Sequence, residues 1–193
     1  MLDKKTFAAM RKQLEAYDKS REELIKSSRD ILKLSKGAIY SLHRTEHDTA
    51  LQQLNQAKTV IRRLKELLAQ ESRLAGVGAY NEALEEYVEA SCYYHFLTQR
   101  TLPTPQQLGV TADVYLPGVC DTVGELVRKA INSAIKKDYK TALEIREFVT
   151  EIYEELMLFD FPNSPVRRKF DAIKYGLEKL EDLALQLQLK KKT

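Results

Sequence analysis

Apolar side chains recur in alternating three- and four-residue steps from the start of the chain: Phe7, Met10, Leu14, Tyr17, Leu24, Ile31, Ala38 and Leu42. Arg21, Ser28 and Ser35 occupy the positions this stripe skips. Such a period belongs to an α-helix with one buried face. No proline precedes Pro103, and Gly37, Gly76 and Gly78 are the only glycines before it. The pattern therefore predicts one uninterrupted helix over residues 3–44. Ile25, Leu32 and Ile39 widen the stripe, which suits packing against more than one neighbour. Thr45-Glu46-His47-Asp48 reads as a tight turn. Ala50, Leu54, Ala57, Ile61, Leu64 and Leu68 then carry a second helix inward-facing to about Arg73.

Gly76-Val77-Gly78 interrupts the period before a third helix, about 79–99. A loop over 102–109, with room for a short helical turn, leads to a fourth helix that begins near Pro117-Gly118 and ends about Lys136. A fifth covers roughly 139–158, Phe161-Pro-Asn-Ser-Pro165 turns the chain, and the last runs from 165 to about 189. Residues 190–193 read as a frayed basic tail. Nothing reads as a β-hairpin, and no short-period repeat marks a solenoid. The expected fold is all-α: one domain over 1–193, an antiparallel bundle or superhelix of about six to seven helices with a very long first helix. Broad apolar faces on helices this long leave more surface than one thin layer covers, so self-association is expected.

Composition narrows the function classes. Hydrophobic residues make up 44% and charged residues 31%, enough for a core with a well-solvated surface. No apolar run approaches a membrane span, and the first residues form no apolar signal segment. Cys92 and Cys120 make neither a CxxC nor a dense framework, so buried reduced thiols in a cytoplasmic protein are expected. Lys and Arg exceed Asp and Glu by six over residues 1–73, fall short by seven over 74–164, and exceed them by four over 165–193. An acidic centre between basic ends suits a nuclease, with basic surface for phosphates and carboxylates for metal; ordinary solvated helix faces give the same count.

Two carboxylate pairs focus that choice. Glu86-x-x-Glu89 lies on the third helix and Asp121-x-x-x-Glu125 on the fourth, each at a spacing that projects both acids from one face. If the faces meet, each like-charge pair at about 4 Å costs roughly 4 kcal/mol at an effective dielectric of about 20. The cluster must then take up protons, stay solvated or hold a hard cation such as Mg²⁺. Asp121 and Glu125 stand in an otherwise apolar stretch with Gly124 between them. A helix-interior glycine costs about 1 kcal/mol relative to alanine, which points to a close approach to the backbone there. A helix contact through Gly124, with the acids paired to Arg128 or Lys129, explains the same residues without a metal. On the first helix, Lys12, Lys19, Lys26 and Lys33 repeat every seven residues with Arg21, Arg29 and Lys36 nearby, a basic stripe long enough to follow several phosphates. His95 falls on a different face from Glu89, and His43 and His47 flank the first turn, where capping or pairing is the expected use. No phosphate loop, Ser/His/Asp set, zinc spacing or dinucleotide fingerprint is present.

Several stretches together resemble the translin family, in particular its translin-associated factor X branch. They are Lys26-Ser-Ser-Arg29-Asp30-Ile31 with Leu42-His43-Arg44; Tyr87-Val-Glu89-Ala90 with His95-Phe96; Gly118-Val-Cys-Asp121-Thr-Val-Gly124-Glu125-Leu126 with Ile131-Asn132-Ser133; and Arg168-Lys169-Phe170-Asp171 with Leu177-Glu178-Lys179-Leu180-Glu181. The resemblance implies an all-α subunit that assembles into a hollow, octamer-like shell. It also implies an Mg²⁺- or Mn²⁺-dependent endoribonuclease site acting on single-stranded RNA or single-stranded regions of structured RNA. By the same resemblance Glu86, Glu89 and Asp121 are the metal ligands and Glu125 an adjacent fourth acid. Arg21, Arg29, Lys33 and Lys36 are the candidates for guiding phosphates. A non-catalytic binder of single-stranded RNA or DNA, as translin itself is, is the alternative. The short 100–111 connection suits a homo-oligomer.

Overall fold

The computed structural model describes residues 2–190. Seven α-helices follow in order: α1 (Lys4–His43), α2 (His47–Gln70), α3 (Gly78–Gln99), α4 (Pro105–Leu108), α5 (Ala112–Ile135), α6 (Tyr139–Leu156) and α7 (Pro165–Lys190), with a 3₁₀ turn at Ser72–Gly76. No strand occurs among the described residues, so the all-α expectation holds. The basic tail expected at 190–193 lies outside them, save for Lys190 at the end of α7. Contacts gather into two compact units, residues 1–87 and 88–193.

In the first unit α1 and α2 form an antiparallel hairpin. Asp3 caps α1 by accepting a hydrogen bond from the Lys5 N–H at 3.0 Å. The chain reverses at Arg44-Thr45, where Thr45 takes a left-handed φ of 66°. The turn falls earlier than expected because His47 and Asp48 already belong to α2, Asp48 placing negative charge in its first turn. Leu24, Ile31, Ala38 and Leu42 of α1 and Ala50, Leu54, Ala57, Ile61 and Leu64 of α2 are buried. Of the skipped stripe positions, Ser28 and Ser35 are buried small polar residues and Arg21 is exposed. Ser28 donates to the Leu24 carbonyl at 2.8 Å, and the neighbouring Ser27 accepts from Arg63 at 2.7 Å. A Cβ at Gly37 would lie 2.7 Å from the Gln53 side-chain nitrogen, so the end of that flexible side chain occupies the space glycine leaves.

The stripe's first turns behave differently. Phe7, Met10 and Leu14 are 49%, 53% and 57% exposed, so the inward face expected from the period is not covered by this chain.

The second unit packs α5, α6 and α7 in consecutive contact. Tyr93, Phe96, Leu126, Ile145 and Leu180 are fully buried in it. α5 begins five residues before the expected Pro117, which lies inside the helix. Proline there forfeits the bond to a single carbonyl, that of Asp113 in the first turn. Asp113 favours the helix N-terminus, and the Tyr115 hydroxyl anchors that turn by donating to the Pro103 carbonyl at 2.8 Å. The close helix approach occurs at Gly176 of α7, where a Cβ would sit 3.1 Å from Val127 Cγ2; Gly124 has open space around it.

Cys92 and Cys120 are free, as expected, and burial pushes both thiols up to about 12. Ellman's reagent at pH 8 should therefore label neither thiol in the folded protein and both after unfolding in guanidinium; prompt labelling of the native chain would contradict this packing.

Candidate active site

The four acids divide between the units. Glu86 lies in the first, one residue before its end. It is half-buried, with its carboxylate 4.0 Å from the Lys36 ammonium. Glu89, Asp121 and Glu125 lie in the second unit, all half-buried. Thr122, the residue after Asp121, donates its hydroxyl to the Gly118 carbonyl at 2.8 Å and reaches the Glu89 carbonyl at 3.4 Å. That contact brings the Glu89 turn of α3 against the Asp121 turn of α5. Glu125, one turn on, is 3.9 Å from Arg128, so the expected pairing of an acid with Arg128 occurs here. Its charge and burial together push the Tyr93 phenol upward, burial being the larger cause.

Asp121 pairs elsewhere. Its Oδ2 accepts from the Lys169 ammonium of α7 at 2.6 Å, both side chains about one-third exposed. Lys169 is held at the root of α7 by its neighbour Phe170, which stacks on Tyr153 at 5.5 Å between ring centres and meets Phe161 at 5.3 Å. In sequence Lys169 is one of several basic residues at the start of the last helix, with nothing local to mark it. Forty-eight residues separate it from Asp121, and no local spacing reports such a contact.

Carboxylate oxygens are the donors that Mg²⁺ and Mn²⁺ take, so the set Glu86, Glu89 and Asp121 fits such an ion chemically. Placement adds a restriction. Among the described residues no group of three or more His, Cys, Asp or Glu side chains is positioned to hold a metal ion. Asp121 instead has the Lys169 ammonium for its counter-charge.

Of the phosphate-guiding candidates, Arg29, Lys33 and Lys36 line one cavity of 740 Å³ on α1, together with Tyr40 and Gln53. Arg21 lies eight residues upstream, outside this cavity, and is engaged by Glu22 at 3.4 Å. His95 is half-buried edge-on to Tyr94, and burial lowers its pKa. A second cavity, 640 Å³, opens between α5 and α7 with Asp121, Gly124 and Lys169 on its walls.

The Translin family model matches residues 19–191. The chain belongs to the translin family. Within it, the chain is 28% identical to the translin-associated protein X of Pongo abelii across 95% of its own length and 78% of that protein. The chicken (Gallus gallus) translin is 29% identical, over 55% of this chain and 53% of that protein. Among solved structures, AfC3PO superimposes with a TM-score of 0.88 at 29% identity, over 97% of this chain and all of that one. AfC3PO in complex with duplex RNA gives 0.87 at 28% identity, over 96% and 97%. These translin-family relatives bear out the resemblance to the factor X branch over nearly the whole chain. No helix among the described residues is long and apolar enough to cross a membrane.

Proposed function

We propose that this translin-family chain is a homo-oligomeric endoribonuclease that cuts single-stranded RNA, or single-stranded parts of structured RNA, at Asp121. Asp121 carries the reading: a carboxylate about one-third exposed on the wall of a cavity, set against the turn that carries Glu89. The likeness to AfC3PO, solved with duplex RNA, supports RNA as the ligand without selecting one strand form. Glu86, Glu89 and Asp121 would hold a Mg²⁺ or Mn²⁺ ion, whose chemistry when bound is to neutralise phosphate charge and lower the pKa of a water. Glu125 orients the site from one turn away, with Arg128 balancing its charge. Arg29, Lys33 and Lys36 draw the phosphate backbone along α1, Arg21 contributing from upstream.

The test is cleavage of end-labelled single-stranded RNA with Mg²⁺, with Mn²⁺ and with excess EDTA, beside a duplex of the same sequence. Activity should require the metal, favour the single strand, and leave a 5′-phosphate and a 3′-hydroxyl. Products ending in 2′,3′-cyclic phosphate would mean that the 2′-hydroxyl is the nucleophile, and the water mechanism would fall. The Asp121–Lys169 ion pair favours the second reading, a protein that holds RNA or single-stranded DNA without cutting it. Binding with no cleavage under any divalent ion would establish that one.

The exposed Phe7, Met10 and Leu14 supply apolar surface for the assembly. Light scattering should give a mass several times the 22.2 kDa of the chain. The Met10→Asp/Leu14→Asp double variant should shift toward smaller species with unchanged helix content; an unshifted mass would place the contact elsewhere.

A further inference from the structure

The cavity between α5 and α7 has a composition that the carboxylate site does not account for. Its charged lining is Asp121 against three cations, Arg168, Lys169 and Lys179. Arg168, Tyr175 and Lys179 follow one another at i, i+7 and i+11, along a single face of α7. At the helical rise, Arg168 to Lys179 spans about 16 Å, enough to run past several phosphates of one strand. Tyr175, between them, is 58% exposed and lines the same cavity, with the Lys174 ammonium 5.2 Å from its ring centre. Across the groove Gly124 presents bare backbone. It is exposed, and nothing lies within 4 Å of where its Cβ would be, so helix packing does not explain the missing side chain. The packing glycine is Gly176, one residue past Tyr175, which seats α7 against Val127 and thereby fixes the groove.

We propose that this α5–α7 groove is a phosphate-backbone subsite for RNA beside Asp121, with Arg168 and Lys179 as phosphate contacts, Tyr175 as a stacking platform for an unpaired base, and Lys169 as a positioning residue. Lys169 already neutralises Asp121 at 2.6 Å. A phosphodiester therefore approaches the acid without meeting an uncompensated negative charge. Gly124 leaves the width that a ribose-phosphate chain needs. The groove rests on the reading of Asp121 as the RNA-cutting acid and adds residues outside α1 to it.

The experiment is fluorescence anisotropy with labelled single-stranded RNA in EDTA, so that binding is read without cleavage, across a series of salt concentrations on the full chain. Arg168→Gln/Lys179→Gln should bind at least tenfold more weakly. Its slope of log affinity against log salt should be shallower by about 1.4, the release expected for two single-strand phosphates. Tyr175→Ala should lose roughly 5- to 150-fold. Gly124→Leu should raise the melting temperature, because leucine is the better helix former, while weakening binding; a merely structural glycine would not separate the two. If these variants bind as the native chain does while Arg29→Gln/Lys33→Gln weakens binding, RNA lies on α1 alone and the groove proposal is wrong, although the RNA reading survives. If the native chain shows no salt-dependent RNA affinity, the groove and the reading beneath it fall together.

Discussion

Asp121→Asn is expected to lower metal-dependent RNA cleavage by roughly two orders of magnitude or more while leaving the fold and RNA binding close to native. The substitution keeps shape and keeps one oxygen for the Lys169 ammonium, now 2.6 Å from Oδ2. It removes the negative charge, which is what a divalent cation would require of this position. Asp121 and Lys169 are each about one-third exposed, so the lost ion pair is worth about 1 kcal/mol or less after solvent screening. A loss of two decades in rate corresponds to about 2.7 kcal/mol of transition-state stabilisation. The effect on chemistry thus exceeds the effect on stability, and the two separate in one variant. The checks are single-turnover cleavage, a thermal melt, and anisotropy in EDTA, where affinity should stay within a few-fold. Cleavage at the native rate would remove Asp121 from the catalytic assignment.

The same ion pair shows where sequence stops informing the site. The i, i+3 and i, i+4 spacings did place Glu86 with Glu89 and Asp121 with Glu125 on common helix faces, and all four are half-buried. Spacing could not supply the counter-ions, because these come from other elements: Lys36 of α1 for Glu86 and Lys169 of α7 for Asp121. The glycines divide for a related reason: Gly124 interrupts an apolar run without packing on a helix, and the tight helix contact belongs to Gly176, whose neighbours in sequence show no such contrast.

Fold was more legible, since a 3.6-residue period over twenty or more residues is a strong local signal. It located α1 and α2 to within a few residues, and break and turn signals did the same for α3, α6 and α7. It missed the start of α5, where Pro117-Gly118 looked like an entry and Thr111-Ala-Asp113 was the true one. The period also says which face of α1 is apolar, but not whether the same chain covers it. Phe7, Met10 and Leu14 continue the buried stripe in sequence and lie exposed in space.

Phe96→Ala should be the most destabilising single change, costing about 3–5 kcal/mol. Phe96 is 1% exposed. Its ring lies 4.7 Å from that of Phe148 on α6, and the Arg100 guanidinium covers it at 5.0 Å. Against a total stability of about 5–15 kcal/mol for a protein domain, that is a large share, and at roughly 2–4 °C per kcal/mol the melting temperature should fall by about 10 °C. Urea denaturation followed by circular dichroism measures it, with Phe96→Leu as the conservative comparison; a shift below 1 kcal/mol for Phe96→Ala would mean that the ring is not packed as described. Phe96 lies seven residues beyond Glu89 on α3, two helical turns along. Its contact with α6 therefore anchors the stretch of α3 that sets Glu89 against the Asp121 turn. Phe96→Ala should lose cleavage only in step with its loss of folded protein, recovering on cooling, whereas Asp121→Asn stays inactive while fully folded. The first residue holds the acids in register and the second does the chemistry.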